Sequence, residues 1–86
     1  MIKLLFFHAS WCGQCRMMEP LIKSLKGVEL IDVDVEEIED AARLYNIVTL
    51  PTVLLIKDGV ELSRLPGPRT KAFYEAEIKR IEEGRK

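Results

Sequence analysis

Trp11-Cys12-Gly13-Gln14-Cys15-Arg16-Met17-Met18-Glu19-Pro20 is the stretch on which the reading of this 86-residue chain turns. Two cysteines separated by two residues open a segment in which Met18, Leu21, Ile22 and Leu25 fall at i, i+3, i+4 and i+7, the spacing of a helix. A pair so placed can close a disulfide without unfolding the helix. Its position also activates the first sulfur. Unpaired backbone N–H groups and the positive end of the helix dipole meet at Cys12, and both favour thiolate over thiol. Cys15, one turn deeper, is expected to be more buried and to hold its proton more firmly. Dithiol exchange needs this asymmetry: Cys12 attacks a substrate disulfide and Cys15 resolves the mixed disulfide. Gly13 keeps the approach to the sulfur open, and Trp11 supplies an apolar platform beside it.

Other uses of such a pair fit less well. A zinc or iron–sulfur site normally takes four ligands, and beyond the two cysteines the sequence adds one histidine, His8. A single pair would bind metal only between two chains. A purely structural disulfide across so short a loop stabilises little, because the entropy it removes grows with loop length.

Outward from the motif, the periodicities give seven elements. Ile2 to Phe7 is an apolar run with one lysine, suited to a strand buried on both faces. Its short apolar stretch stops at His8, too early for a secretory leader. The helix from Cys12 contains Pro20, which removes one backbone bond and predicts a kink, and Gly27 is expected to close it. Val28 to Val35 reads as a second strand. Ile38, Ala41, Ala42 and Tyr45 mark a short second helix with an acidic first turn (Glu36, Glu37, Glu39), Tyr45 in the core and Asn46 at its end. Thr52 to Lys57 and Val60 to Leu65 are strands joined by Asp58-Gly59, a strong hairpin signal. Pro66-Gly67-Pro68 breaks the chain. Thr70 caps a last helix whose stripe is Phe73, Tyr74, Ile78 and Ile81. Residues 82 to 86 are expected to fray. Strands joined through helices are expected to pair in parallel, with the hairpin adding antiparallel strands at one side. The expected fold class is α/β: one domain over residues 1–86, ordered β-α-β-α-β-β-α, with a four-stranded mixed sheet flanked by three helices.

Composition narrows the function. Thirteen basic against fourteen acidic residues give a net charge of −1, without the basic surplus of a nucleic-acid binder. No apolar run approaches the ~20 residues of a membrane-spanning helix. Two cysteines cannot build a multi-disulfide secreted scaffold, so a cytoplasmic protein is expected.

The chain resembles a thioredoxin. The residues that carry the resemblance are Trp11-Cys12-Gly13-Gln14-Cys15, Arg16 to Glu19 with the helix-kinking Pro20, Leu50-Pro51-Thr52, Lys57-Asp58-Gly59 and Gly67, in the family's order. The resemblance implies a cis Pro51 packed against the cysteine pair. It also implies a Leu50 backbone that pairs with an extended substrate peptide, and a docking surface formed with Trp11, Gly13, Gln14 and Gly67. It further implies disulfide-containing protein substrates, a disulfide reductase as electron donor, a monomer and no bound cofactor.

Three departures stand out. The chain begins at the family's central strand, a reduced core closer in topology to glutaredoxins. The dipeptide between the cysteines is Gly13-Gln14 instead of Gly-Pro. Phe6 stands where thioredoxins usually carry a buried aspartate, and Asp32 where they often carry a lysine. Strand alternation puts Asp32 with Leu30 and Asp34 on one face, so Asp32 is a candidate to accept the Cys15 proton if a helix covers and desolvates it. Otherwise it reaches solvent at an edge or pairs with a lysine. His8 either packs or influences Cys12 by titrating. One of Met17 and Met18 is expected in the core and the other exposed.

Two rivals remain at this level. A glutathione-dependent reductase is suggested by the reduced core, although Pro66-Gly67-Pro68-Arg69 lacks the Gly-Gly and following Asp that glutaredoxins use. The other is a redox-switched binding module without turnover.

Overall fold

A computed structural model describes residues 1–84; the expectation for Arg85 and Lys86 lies outside the described residues. The elements are β1 (Ile2–His8), α1 (Gly13–Lys23), β2 (Val28–Asp34), α2 (Ala41–Leu44), β3 (Thr52–Lys57), β4 (Val60–Pro66) and α3 (Lys71–Glu82). The sheet order is β2-β1-β3-β4, with β1–β2 parallel and both β1–β3 and β3–β4 antiparallel.

The two-faced apolar run of β1 explains its place inside the sheet. Ile2, Leu4 and Phe6 enter one cluster with Cys15, Met18 and Ile22 of α1 and Tyr74, Ile78 and Ile81 of α3. Leu5 and Phe7 point the other way, onto Val33, Leu54 and Ala41 of α2. Helices therefore cover both faces, α1 and α3 on one and α2 on the other. Met18 is core and Met17 exposed. Asp58 and Gly59 both take positive φ (54° and 77°), the backbone of a two-residue hairpin turn.

Several expectations need correction. β3 does not run parallel to the strands before it. β2 ends beside the end of β1 (His8↔Asp34), and β3 begins at that same end (Phe7↔Thr52). A helix of four residues rises only about 6 Å and cannot carry the chain back along the sheet. The acidic stretch is not a first helical turn. It forms turns seeded by Asp34, whose backbone oxygen accepts from Glu37 and Ile38 and whose Oδ1 accepts from the Glu36 N–H at 2.8 Å. Tyr45 is not core: it keeps 39% exposure and leans on Phe7, ring centroids 5.4 Å apart. Asn46 does end α2, at φ 55°. Gly27 does not close α1, which stops at Lys23. The Ser24 N–H reaches back to the Pro20 and Leu21 oxygens, and Gly27 (φ 81°) instead turns the chain into β2. Phe73 lies outside the core stripe, partly exposed beneath the Arg69 guanidinium.

Glu77 ties α3 to β4, accepting from Ser63 Oγ at 2.8 Å and from Arg80 at 2.9 Å. Arg80 first, then Ser63, hold its carboxyl below the usual range. A depressed carboxyl adds stability above its unfolded pKa and loses it as the pH falls through the folded value. Glu77→Gln is therefore expected to cost under about 1 kcal/mol near neutrality. It should also flatten the acid limb of stability below about pH 4.5, measured by urea unfolding at stepped pH.

Candidate active site

β1 ends in a tight turn. The Cys12 N–H donates to the Ala9 oxygen at 3.1 Å, and α1 starts at the next residue with Cys12 as its N-cap. Cys12 Sγ accepts the Cys15 N–H at 3.2 Å, so one of the helix's free donors is aimed at this sulfur. The two cysteines are joined in a disulfide, Cα atoms 5.3 Å apart. Cys12 retains 8% exposure and Cys15 2%. Cys12 is thus the less deeply buried of the two. Trp11 is 70% exposed, and no neighbouring atom lies within 4 Å of the point where a Gly13 Cβ would sit. Gln14 is exposed as well.

The turn is pinned by a contact that sequence reasoning missed. Ser10 donates to Glu36 Oε1 from both its N–H (2.7 Å) and its hydroxyl (2.6 Å). The pair is 26 residues apart, and no local periodicity signals it.

The second half of the site arrives with β3. Phe7↔Thr52 pairing brings Pro51 to the end of β1 from which the cysteine turn departs. The Leu50–Pro51 bond is cis and Pro51 is buried. Thr52 Oγ1 closes the approach by donating to the Thr49 oxygen at 2.6 Å. Gly67, at φ 77°, donates its N–H to the Pro51 oxygen at 2.7 Å and so fixes the loop after β4 beside the proline. Leu50 packs on the cluster that holds both cysteines. Cys12, Cys15, Leu50, Pro51 and Gly67 therefore gather at one end of the sheet, with Trp11, Gly13 and Gln14 on the open side.

Asp32 is not among them in the way expected. It shares the α1 face with its register partner Phe6, but β2 is the edge strand, and the Asp32 side chain is 52% exposed. Water solvates it, so the expectation of a desolvated base is corrected. Its Oδ2 lies 2.8 Å from His8 Nε2. That nitrogen is buried, and the contact is close without hydrogen-bond alignment.

Among the described residues no group of three or more His, Cys, Asp or Glu side chains is arranged to hold a metal, and no helix is long and apolar enough to cross a membrane.

A mixed four-stranded sheet, a disulfide at a helix N-terminus and a cis-proline beside it define a thioredoxin-fold protein with a dithiol–disulfide site. The thioredoxin family model matches residues 2–80, and the chain belongs to that family. It is 40% identical over 67 residues to thioredoxin H2 of Arabidopsis thaliana, covering 73% of this chain and 50% of that one. It is also 40% identical over 82 residues to a thioredoxin of Mycolicibacterium smegmatis, covering 87% and 73%. The chain thus spans about half the length of the plant relative. Among solved structures, reduced Schistosoma mansoni thioredoxin superposes with a TM-score of 0.84 at 35% identity, covering 92% of this chain and 77% of the other.

Proposed function

We propose that the chain reduces disulfide bonds in protein substrates by dithiol exchange through Cys12 and Cys15. The observation that carries the reading is the asymmetry of the pair: Cys12 caps the helix with its sulfur on a backbone N–H, and Cys15 is buried behind it. In the reduced protein the same N–H stabilises a Cys12 thiolate. That thiolate attacks one substrate sulfur, the other leaves as a thiol, and Cys15 then displaces the bound sulfur to form the Cys12–Cys15 bond. Two electrons pass to the substrate. Trp11, Gly13, Gln14, Leu50, Pro51 and Gly67 line the surface on which an extended substrate segment docks, its backbone pairing with Leu50. In this reading the protein works in the cytoplasm as a monomer, carries no bound cofactor and regains electrons from a disulfide reductase.

Multiple-turnover reduction of insulin tests this, with one arm regenerated by NADPH and thioredoxin reductase and the other by glutathione and its reductase. Turnover in the first arm supports the reading. Turnover confined to the second identifies a glutathione-dependent enzyme, and none in either leaves a redox-switched binding module.

A further inference from the structure

Phe6 and His8 are the β1 residues that face α1 near the cysteines, and only His8 can take up a proton. Its ring stacks on Phe6, centroids 5.2 Å apart, and Phe6 belongs to the cluster that contains Cys12 and Cys15. His8 also ends the strand from which the cysteine turn departs. The charged groups around it come from two elements. From β2 there are Asp32, 2.8 Å from Nε2, and Asp34, the register partner of His8, whose Oδ1 is held by the Glu36 N–H. From α1 there are Glu19 and Lys23, paired with each other at 2.7 Å. Glu19 is close enough to His8, and Lys23 to Asp32, for their charges to interact. Imidazole is the side chain that ordinarily gains and loses a proton between about pH 5 and 8, the range in which thiols are activated. Asp32 Oδ2, 2.8 Å from Nε2, lies where it can orient the ring.

We propose that His8 is the proton-exchanging group for the cysteine pair and that Asp32 is its positioning residue. The proposal rests on the dithiol-exchange reading above and concerns the second step. In the mixed disulfide, the Cys15 thiol gives up its proton and His8 takes one up. The Cys15 thiolate attacks Cys12 Sγ, the Cys12–Cys15 bond forms and the bond from Cys12 to the substrate sulfur breaks. The substrate sulfur leaves with the electron pair and takes the proton from the imidazolium. The substrate disulfide is the oxidant and the dithiol the reductant, so no other redox partner enters the step.

The test is rapid-quench kinetics of the reduced protein against insulin between pH 5.5 and 8.5, following mixed-disulfide formation and its release separately. The variants are His8→Phe, which keeps the stacked ring, His8→Gln, which keeps a polar side chain, and Asp32→Asn. Both His8 variants are expected to form the mixed disulfide at the wild-type rate. Their release should slow at least about tenfold, with loss of the neutral-range pH step. Asp32→Asn should slow release by a smaller factor and add nothing in the His8→Phe background. Wild-type release rates and pH profiles in both His8 variants would overturn the proposal. So would an Asp32→Asn effect that persists undiminished in the His8→Phe background, which would make Asp32 act by itself. If the wild-type protein formed no mixed disulfide, the dithiol-exchange reading would fail first. A slowed release in the His8 variants with an unchanged pH profile would signify a packing role and also overturn it.

Discussion

Cys12→Ser is expected to abolish insulin reduction, lowering turnover by at least about 1,000-fold, or about 4 kcal/mol of barrier. A serine hydroxyl is far harder to ionise than a thiol, so the Cys15 N–H aimed at this position has no anion to stabilise. The fold should survive. Serine is among the best N-cap residues, and losing a disulfide across four residues removes little chain entropy. A circular-dichroism melt alongside the assay separates lost chemistry from lost structure. Residual turnover within tenfold of wild type would mean that Cys12 is not the nucleophile.

Cys15→Ser is expected to do something different: to stop the reaction halfway. Cys12 keeps its place at the helix start and attacks as before, but nothing behind it displaces the bound substrate. A covalent adduct of the protein with its substrate should accumulate under oxidising conditions. Its release should slow by at least about 100-fold, seen by non-reducing electrophoresis and intact mass. The substitution buries a hydroxyl at a position that is 2% exposed, so a stability loss of about 1–3 kcal/mol is expected with it. Accumulation despite that loss shows that the first step depends on Cys12 alone. Failure to trap any adduct would assign the attack to the other sulfur or exclude covalent exchange.

The cysteine half of the site was legible in the sequence because its logic is local. A helix start, a two-residue spacing and a following apolar stripe fix which sulfur is capped and which is covered. The two-faced β1 and the Asp58-Gly59 hairpin were legible for the same reason, since residue type dictates each one's backbone or burial. What the sequence hid depends on position in the sheet. Alternation placed Asp32 on one face with Leu30, yet only the strand order reveals that β2 is an edge where water reaches it. Tyr45 falls at a core spacing, but α2 is a single turn with too little partner surface to bury the ring. The direction of β3 followed from the shortness of α2, which a pattern of apolar residues running on to Tyr45 disguised. The Ser10–Glu36 clasp joins residues that no periodicity relates. Pro51 lies between these cases. The resemblance implied its cis bond, while sequence physics alone permitted it without requiring it.

The measurement that tests the central claim most directly is the reduction potential of the Cys12–Cys15 couple, from graded thiol–disulfide buffers with free thiols counted by alkylation and mass. A protein-disulfide reductase requires a couple that readily gives up its electrons, and burial of both cysteines, which favours the uncharged disulfide, must outweigh the single N–H that favours a Cys12 thiolate. A potential at or below the cytosolic glutathione poise, about −220 to −320 mV depending on method, is the predicted result. A potential near −120 mV, where a dithiol is the favoured form, would contradict it and make this protein a donor of disulfides.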